Sequence, residues 1–269
     1  MKVVRWVLFA VLVVGAGWLC LFTGVRYGRY FERHKLMFGL SDRDNARLTL
    51  RRVTGALKSR SQFEQDLWVM MLIPPGKRGG YYVDVGAADG ERISNTRLFD
   101  EMGWNGVCID PSAAHMEKRT CQVFRQPVYR ESGVRVLFQA SGDRGGIVGR
   151  SEAGGDPIAA NQPKVVELVT ATLDEILAKA HAPRYIDYMS LDIEGAEYDA
   201  LLGLSLDQYE FGAFTIEHNF ESAKREAIRK LLEGKGYVRV QSWVVDDFYV
   251  NRRLAGRFRP AERYSTCLY

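Results

Sequence analysis

The sequence predicts an α/β fold: a mostly parallel twisted sheet covered by helices on both faces, with a terminal antiparallel hairpin. Three observations carry that prediction. The apolar run Tyr81–Val85 enters a glycine turn, Gly86-Ala87-Ala88-Asp89-Gly90. A second run, Gly106–Ile109, ends in Asp110-Pro111 after a helical stretch through Thr96–Met102. Two more runs, Ile186–Leu191 and Phe211–Ile216, alternate with helical patterns in the same way. Such alternation needs crossover connections, which make neighbouring strands parallel and bury both faces of the sheet. With 269 residues, 46% of them apolar, the chain can bury one sizeable core but not two full domains.

Taken in order, the chain opens with an uncharged run, Trp6 to Val25. As a helix it would be about 30 Å long, enough to cross the hydrocarbon layer. A cleaved signal peptide fits less well, because Arg26, Arg29, Arg33 and Lys35 follow at once. Residues 1–25 are therefore expected to be a transmembrane anchor. Lys2 and Arg5 are outnumbered by the four basic residues beyond the run, so the charge bias puts the carboxyl-terminal domain in the cytoplasm. Residues 26–60 form a partly helical basic stalk of net charge +7, suited to an anionic membrane surface. Within the overall +4 this leaves residues 61–269 at −5, which argues against a nucleic-acid partner.

Phe63–Leu72 reads as a helix broken by Pro74-Pro75-Gly76. Beyond the second strand, Gln122–Tyr129 and Val134–Gln139 read as short strands around Glu131-Ser132-Gly133. From Gly142 to Lys164 the composition turns to Gly, Ser, Asp and Pro, and a lid over the acceptor pocket is expected there. Thr172 and Glu175 form a capping-box pattern opening the next helix. Helices are expected over Ala196–Leu202 and Glu221–Glu233, the latter closed by Gly234 and Gly236. Tyr237–Val245 and Phe248–Val250 complete the domain as a hairpin around Asp246-Asp247, which bounds it at 61–251 and leaves 252–269 as a tail.

Ligands of open α/β sheets bind outside the carboxyl ends of the strands. Reading those ends gives Gly86, Asp110, Asp192 with Glu194, and Glu217 with His218. Glycines at the turn let the backbone pass close to a ligand. Asp110 stands where a carboxylate accepts ribose hydroxyl protons. The phosphate-cradling GxGxxG spacing is missing, which counts against an NAD enzyme. A cofactor with a ribose but no pyrophosphate fits better, and S-adenosylmethionine is the leading candidate.

Flanking blocks sharpen the pattern: Ser61-Gln62-Phe63-Glu64-Gln65-Asp66, Ile93-Ser94-Asn95-Thr96, Gly103-Trp104-Asn105-Gly106, Asp187-Tyr188-Met189-Ser190-Leu191-Asp192-Ile193-Glu194-Gly195 and Thr215-Ile216-Glu217-His218-Asn219. In this order they resemble the FkbM family of S-adenosylmethionine-dependent methyltransferases, including its Star-like members, over residues 61–250. The chain departs from the family where Ala88 replaces a frequent Asn and Asp110 a frequent Glu. The resemblance implies a class I methyltransferase-like Rossmann domain, with cofactor contacts from Asp84, Gly86, Ala87, Gly90, Asp110 and Asp192. Transfer to a hydroxyl oxygen is implied by the family, and a sugar, glycan or lipid-linked acceptor by the membrane anchor. His218 is the preferred general base, with Asp192 and Glu217 beside it.

A divalent cation held by Asp192, Glu217 and His218 is the less favoured version, so no metal site is assigned. The alternative function is a catalytically silent, membrane-tethered interaction or trafficking module of Star-like type. Acceptor identity and oligomeric state are not legible. Glu194 and Glu197 read equally as site residues or as dipole complements at a helix start. Cys20, Cys108, Cys121 and Cys267 show no paired spacing, and Cys108 reads as a small buried apolar residue. His34, His115 and His181 read as surface residues.

Overall fold

The computed structural model describes residues 24–34, 41–55, 57–74, 77–140, 145–149 and 164–258. All but the last two residues of the expected anchor lie outside them. Among the described residues no helix is long and apolar enough to cross a membrane. The chain divides into two compact units, Met1–Lys58 and Ser59–Tyr269.

In the first unit, residues 24–34 are helical and α1 spans Asp42–Val53. Ser41 caps α1 by accepting the Asp44 N–H, and Arg51 and Arg52 complement the dipole in its last turn. His34, expected at the surface, is fully buried with Nδ1 3.2 Å from the Thr49 hydroxyl. Asn45 Nδ2 donates to the Phe31 carbonyl at 2.7 Å.

The second unit carries a seven-stranded sheet. Its strands are β1 (Tyr81–Val85), β2 (Asn105–Ile109), β3 (Gln122–Phe124), β7 (Tyr185–Leu191), β8 (Glu210–Glu217), β9 (Tyr237–Trp243) and β10 (Asp246–Asn251). They lie in the order β3-β2-β1-β7-β8-β10-β9. Neighbours from β3 to β8 pair in parallel, and β10 runs antiparallel to both β8 and β9. The expected mostly parallel sheet with a terminal antiparallel hairpin is therefore present. The chain winds outward from β1 through β2 and β3, then returns to lay β7 on the other side of β1. That reversal opens a crevice at the carboxyl ends of β1 and β7.

Helices α2 (Gln65–Leu72), α3 (Arg97–Glu101), α4 (Leu173–Lys179), α5 (Glu197–Leu202) and α6 (Ser222–Gly234) accompany the sheet. Every residue of α2 is buried, and Trp68 meets Phe248 of β10 edge to face at 4.9 Å. Thr172 caps α4 as predicted, accepting the Glu175 N–H. Glu175 does not complete the box; its carboxylate takes the Ser132 hydroxyl and Lys179 instead.

Three sequence readings are corrected. The hairpin turns at Val244-Val245, while Asp246 and Asp247 are buried inside β10. Polar residues tolerate that strand because each carboxylate is bonded, Asp247 to Arg225 and Arg239 and Asp246 to Gln65. The glycine-rich stretch supplies β5 (Gly146–Ile147), and the chain after it β6 (Lys164–Val169), which flank β4 (Arg135–Ala140) in a separate antiparallel sheet. Residues 150–163, the middle of the expected lid, lie outside the described residues. Finally, Cys108 and Cys121 form a disulfide with Cα atoms 5.7 Å apart. Parallel pairing of β2 with β3 sets Cys108 opposite Val123, which brings Cys121 within reach.

Candidate functional site

The turn after β1 needs its glycines. Gly86 has φ +91°, and a Cβ there would lie 1.7 Å from the Asp192 carbonyl oxygen. The ends of β1 and β7 thus approach as closely as backbone permits. Gly90, at φ +70°, sits against the Met116 sulfur. Asp89 ties the turn off by accepting the N–H groups of Glu91 and Arg92.

Two cavities meet at this turn. The first is an open, polar cleft with Asp84, Asp110, Ser190, Asp192 and Glu194 in its wall. The second is largely apolar, walled by Ile109, Pro111, Pro127, Phe138, Ile147 and Ile193. Gly86, Asp110 and Gly145 line both. The small sheet β4-β5-β6 has a positional role here, since its Phe138 and Ile147 close the apolar side.

Asp110 accepts the Ala88 N–H through Oδ2 at 2.9 Å and the Ser112 N–H through Oδ1 at 2.6 Å. Each oxygen keeps a lone pair for a ligand hydroxyl. Burial raises its pKa, and the two N–H donors oppose the rise. Asp84 is buried, accepts the Thr96 hydroxyl at 2.5 Å, and has the Arg119 guanidinium 3.9 Å away. Burial raises its pKa against the pull of Arg119 and Thr96.

At the far wall, Asp192 is hydrogen-bonded to Glu217, and Glu194 completes a carboxylate set whose ligand atoms lie within 4.8 Å of one another. Burial raises the Asp192 pKa to about 7, and the Glu217 carboxyl is pushed higher still by burial and by the Asp192 charge. Two carboxylates buried this close to one another favour keeping a proton between them. Asn219 Nδ2 secures Glu217 at 2.8 Å.

His218 stands apart from this group. Its Nδ1 accepts the Phe220 N–H at 3.1 Å, its ring packs edge-on to Phe220, and it is outside the lining of both cavities. Its Nε2 is buried without a partner, and burial lowers its pKa to about 4. In the carboxylate set a cation could occupy, Glu194 stands where the sequence reading had His218.

The structure thus brings Asp84, Gly86, Ala87, Asp110 and Asp192 to one cavity, with Glu217 directly behind Asp192. Gly90 shapes the turn without lining it. Glu197 proves structural: its carboxylate accepts the Ile193 and Gly195 N–H groups at 3.0 Å each. Sequence reading missed Arg119, a lone arginine in a connecting segment with no local signal of burial. The pairing of an apolar with an acidic cavity was equally hidden, because its walls come from segments far apart in the sequence.

Fold and site together define an open-sheet α/β protein with an acidic cleft at the sheet's switch point. The family model for the methyltransferase FkbM domain matches residues 84–239, more than half the chain. The chain belongs to the FkbM methyltransferase family. No curated protein and no solved structure matches it.

Proposed function

We propose that the chain transfers a methyl group from S-adenosylmethionine to a hydroxyl oxygen of a sugar, glycan or lipid-linked acceptor. The observation that carries this reading is the pair of adjoining cavities hinged on Gly86 and Asp110. An apolar slot suits a purine base, the acid between the cavities suits a ribose, and the acidic chamber suits an amino-acid end and a positive sulfur. When bound, the cofactor supplies a methyl group on a cationic leaving group. The residues need only grip, align and take up a proton.

Asp110 would accept the ribose hydroxyls with its remaining lone pairs. Ile109, Pro111 and Phe138 would keep water from the base. Asp84 would face the ammonium, and Asp192, in the chamber wall, would take the acceptor proton. Glu217 tunes Asp192 from behind. This moves the base role from His218 to Asp192, because Asp192 lines the chamber and His218 does not.

Tethering rests on the uncharged run from Trp6 to Val25 and on the basic stalk. The flanking charges favour a cytoplasm-facing domain, whereas a disulfide is more typical of oxidising compartments. Protease protection of sealed vesicles separates the two: degradation without detergent supports the cytoplasmic side, and full protection overturns it. The silent-module reading loses weight because the carboxylates and the glycine turn are all in place. Incubating the full chain with methyl-labelled cofactor and a membrane extract tests the function. Label on an alkali-stable glycan or lipid species is expected, and label confined to protein would contradict the acceptor class.

A further inference from the structure

We propose that Arg119 is a positioning residue of this site, whose buried guanidinium sets the shape of the segment from Asp84 to Thr96 and the charge of Asp84. The inference rests on the cofactor reading above. Arg119 follows a short 3-10 turn, Met116–Lys118, and its side chain has no exposed surface. A buried guanidinium is tolerated only when its donors are matched and its charge is paired. Here they are. Nε donates to Asp100 at 2.5 Å, Nη1 to the Gly90 carbonyl at 3.0 Å and to Ser94 at 3.4 Å, and Nη2 to Thr96 at 2.7 Å and Tyr82 at 3.2 Å.

These partners belong to β1, the glycine turn, the segment after it, and the start and interior of α3. One side chain therefore pins the Asp84–Thr96 side of the wall that would hold the amino-acid end. The Thr96 hydroxyl relays the grip, accepting from Arg119 while donating to Asp84 at 2.5 Å. Met116, three residues earlier, fills the space beneath Gly90. The Asp110–Arg119 connection thus supplies the ribose acid at one end and the support for the turn at the other.

Asp84 is faced by Asp100, Asp110, Asp192 and Tyr188 besides Thr96 and Arg119. Arg119 is the cation of that group. Without it, Asp84 would be left among acids in a buried place and would hold a proton at higher pH. An uncharged Asp84 no longer attracts a cationic ligand, so binding should become pH-dependent through a residue the ligand never touches.

The test is calorimetric titration of S-adenosylmethionine into the full chain, its Arg119→Lys and Arg119→Gln variants and Thr96→Val, at pH 6 and pH 8, beside thermal melts. Arg119→Gln should bind about 100-fold more weakly at pH 6 and recover as pH rises, more steeply than wild type. Arg119→Lys keeps the charge but loses the fork, so its affinity falls while its pH profile stays that of wild type. If Arg119→Gln does not fold, Thr96→Val, which breaks only the relay, must still weaken binding. Folded variants with wild-type affinity at both pH values overturn the positioning role alone. A wild type that does not bind overturns the cofactor reading, and this inference with it.

Discussion

Asp192 and Glu217 meet at the ends of adjacent parallel strands, where burial raises the pKa of both. The β7–β8 register, which pairs Leu191 with Ile216, dictates that meeting. Asp192 is ionised only above about pH 7, so transfer should rise with pH through neutrality. Asp192→Asn should lose about 10²- to 10⁴-fold in kcat. The Glu217 hydrogen bond lowers the Asp192 pKa, so Glu217→Ala should shift the rise to higher pH. An unchanged pH–rate profile in Glu217→Ala would show that the pair is uncoupled. Chelation by EDTA should leave the rate unaltered; a loss restored by a divalent ion would mean that the carboxylates share a cation.

His218→Gln should keep most of the transfer rate. Its ring serves Phe220 and the chain after β8, so about 1 kcal/mol of stability should be lost instead. Steady-state kinetics beside a melt decides between the roles. A loss of about 100-fold in kcat at unchanged melting temperature would return the base role to His218.

Asp110→Asn retains the shape but loses the charge that takes the Ala88 and Ser112 N–H groups. Charge-assisted bonds contribute about 1.5–3 kcal/mol each, so cofactor affinity should fall by at least about tenfold, with kcat at saturation less affected. Equilibrium dialysis with labelled cofactor measures it. Equal affinity would remove Asp110 from the ribose.

Much of this was legible in the chain. The apolar runs of β1, β2, β7 and β8 declare themselves because buried parallel strands carry little polarity. The strand ends then locate Gly86, Asp110 and Asp192 without further help. What escaped has a common cause: partners distant in sequence. Asp246 and Asp247 read as a turn until Gln65, Arg225 and Arg239 are seen to bond them. β6 follows a glycine-rich stretch, and four of its six residues are exposed, so its Val-Val-Glu-Leu-Val run shows no clean buried face. Cys108 and Cys121 lie 13 residues apart and meet only because β3 pairs beside β2. Glu194 belongs to the chamber, while neighbouring Glu197 holds the backbone that presents it.

The Cys108–Cys121 bond closes a 13-residue loop that contains both Asp110 and Arg119. By loop-closure entropy it should contribute about 3 kcal/mol. Reduction with dithiothreitol should therefore lower the melting temperature and weaken cofactor binding together. Mass spectrometry should find the unreduced chain two hydrogens lighter than the reduced one. Equal melting temperatures with and without reductant would show that the bond carries no stability.

Calorimetric titration of the full chain with S-adenosylmethionine, repeated with Asp110→Ala, decides whether the cleft at Gly86 and Asp110 holds the cofactor. One site per chain is expected, saturating well below millimolar ligand, with a large loss of affinity in the variant. No heat of binding at millimolar ligand, or equal binding by wild type and variant, would contradict it.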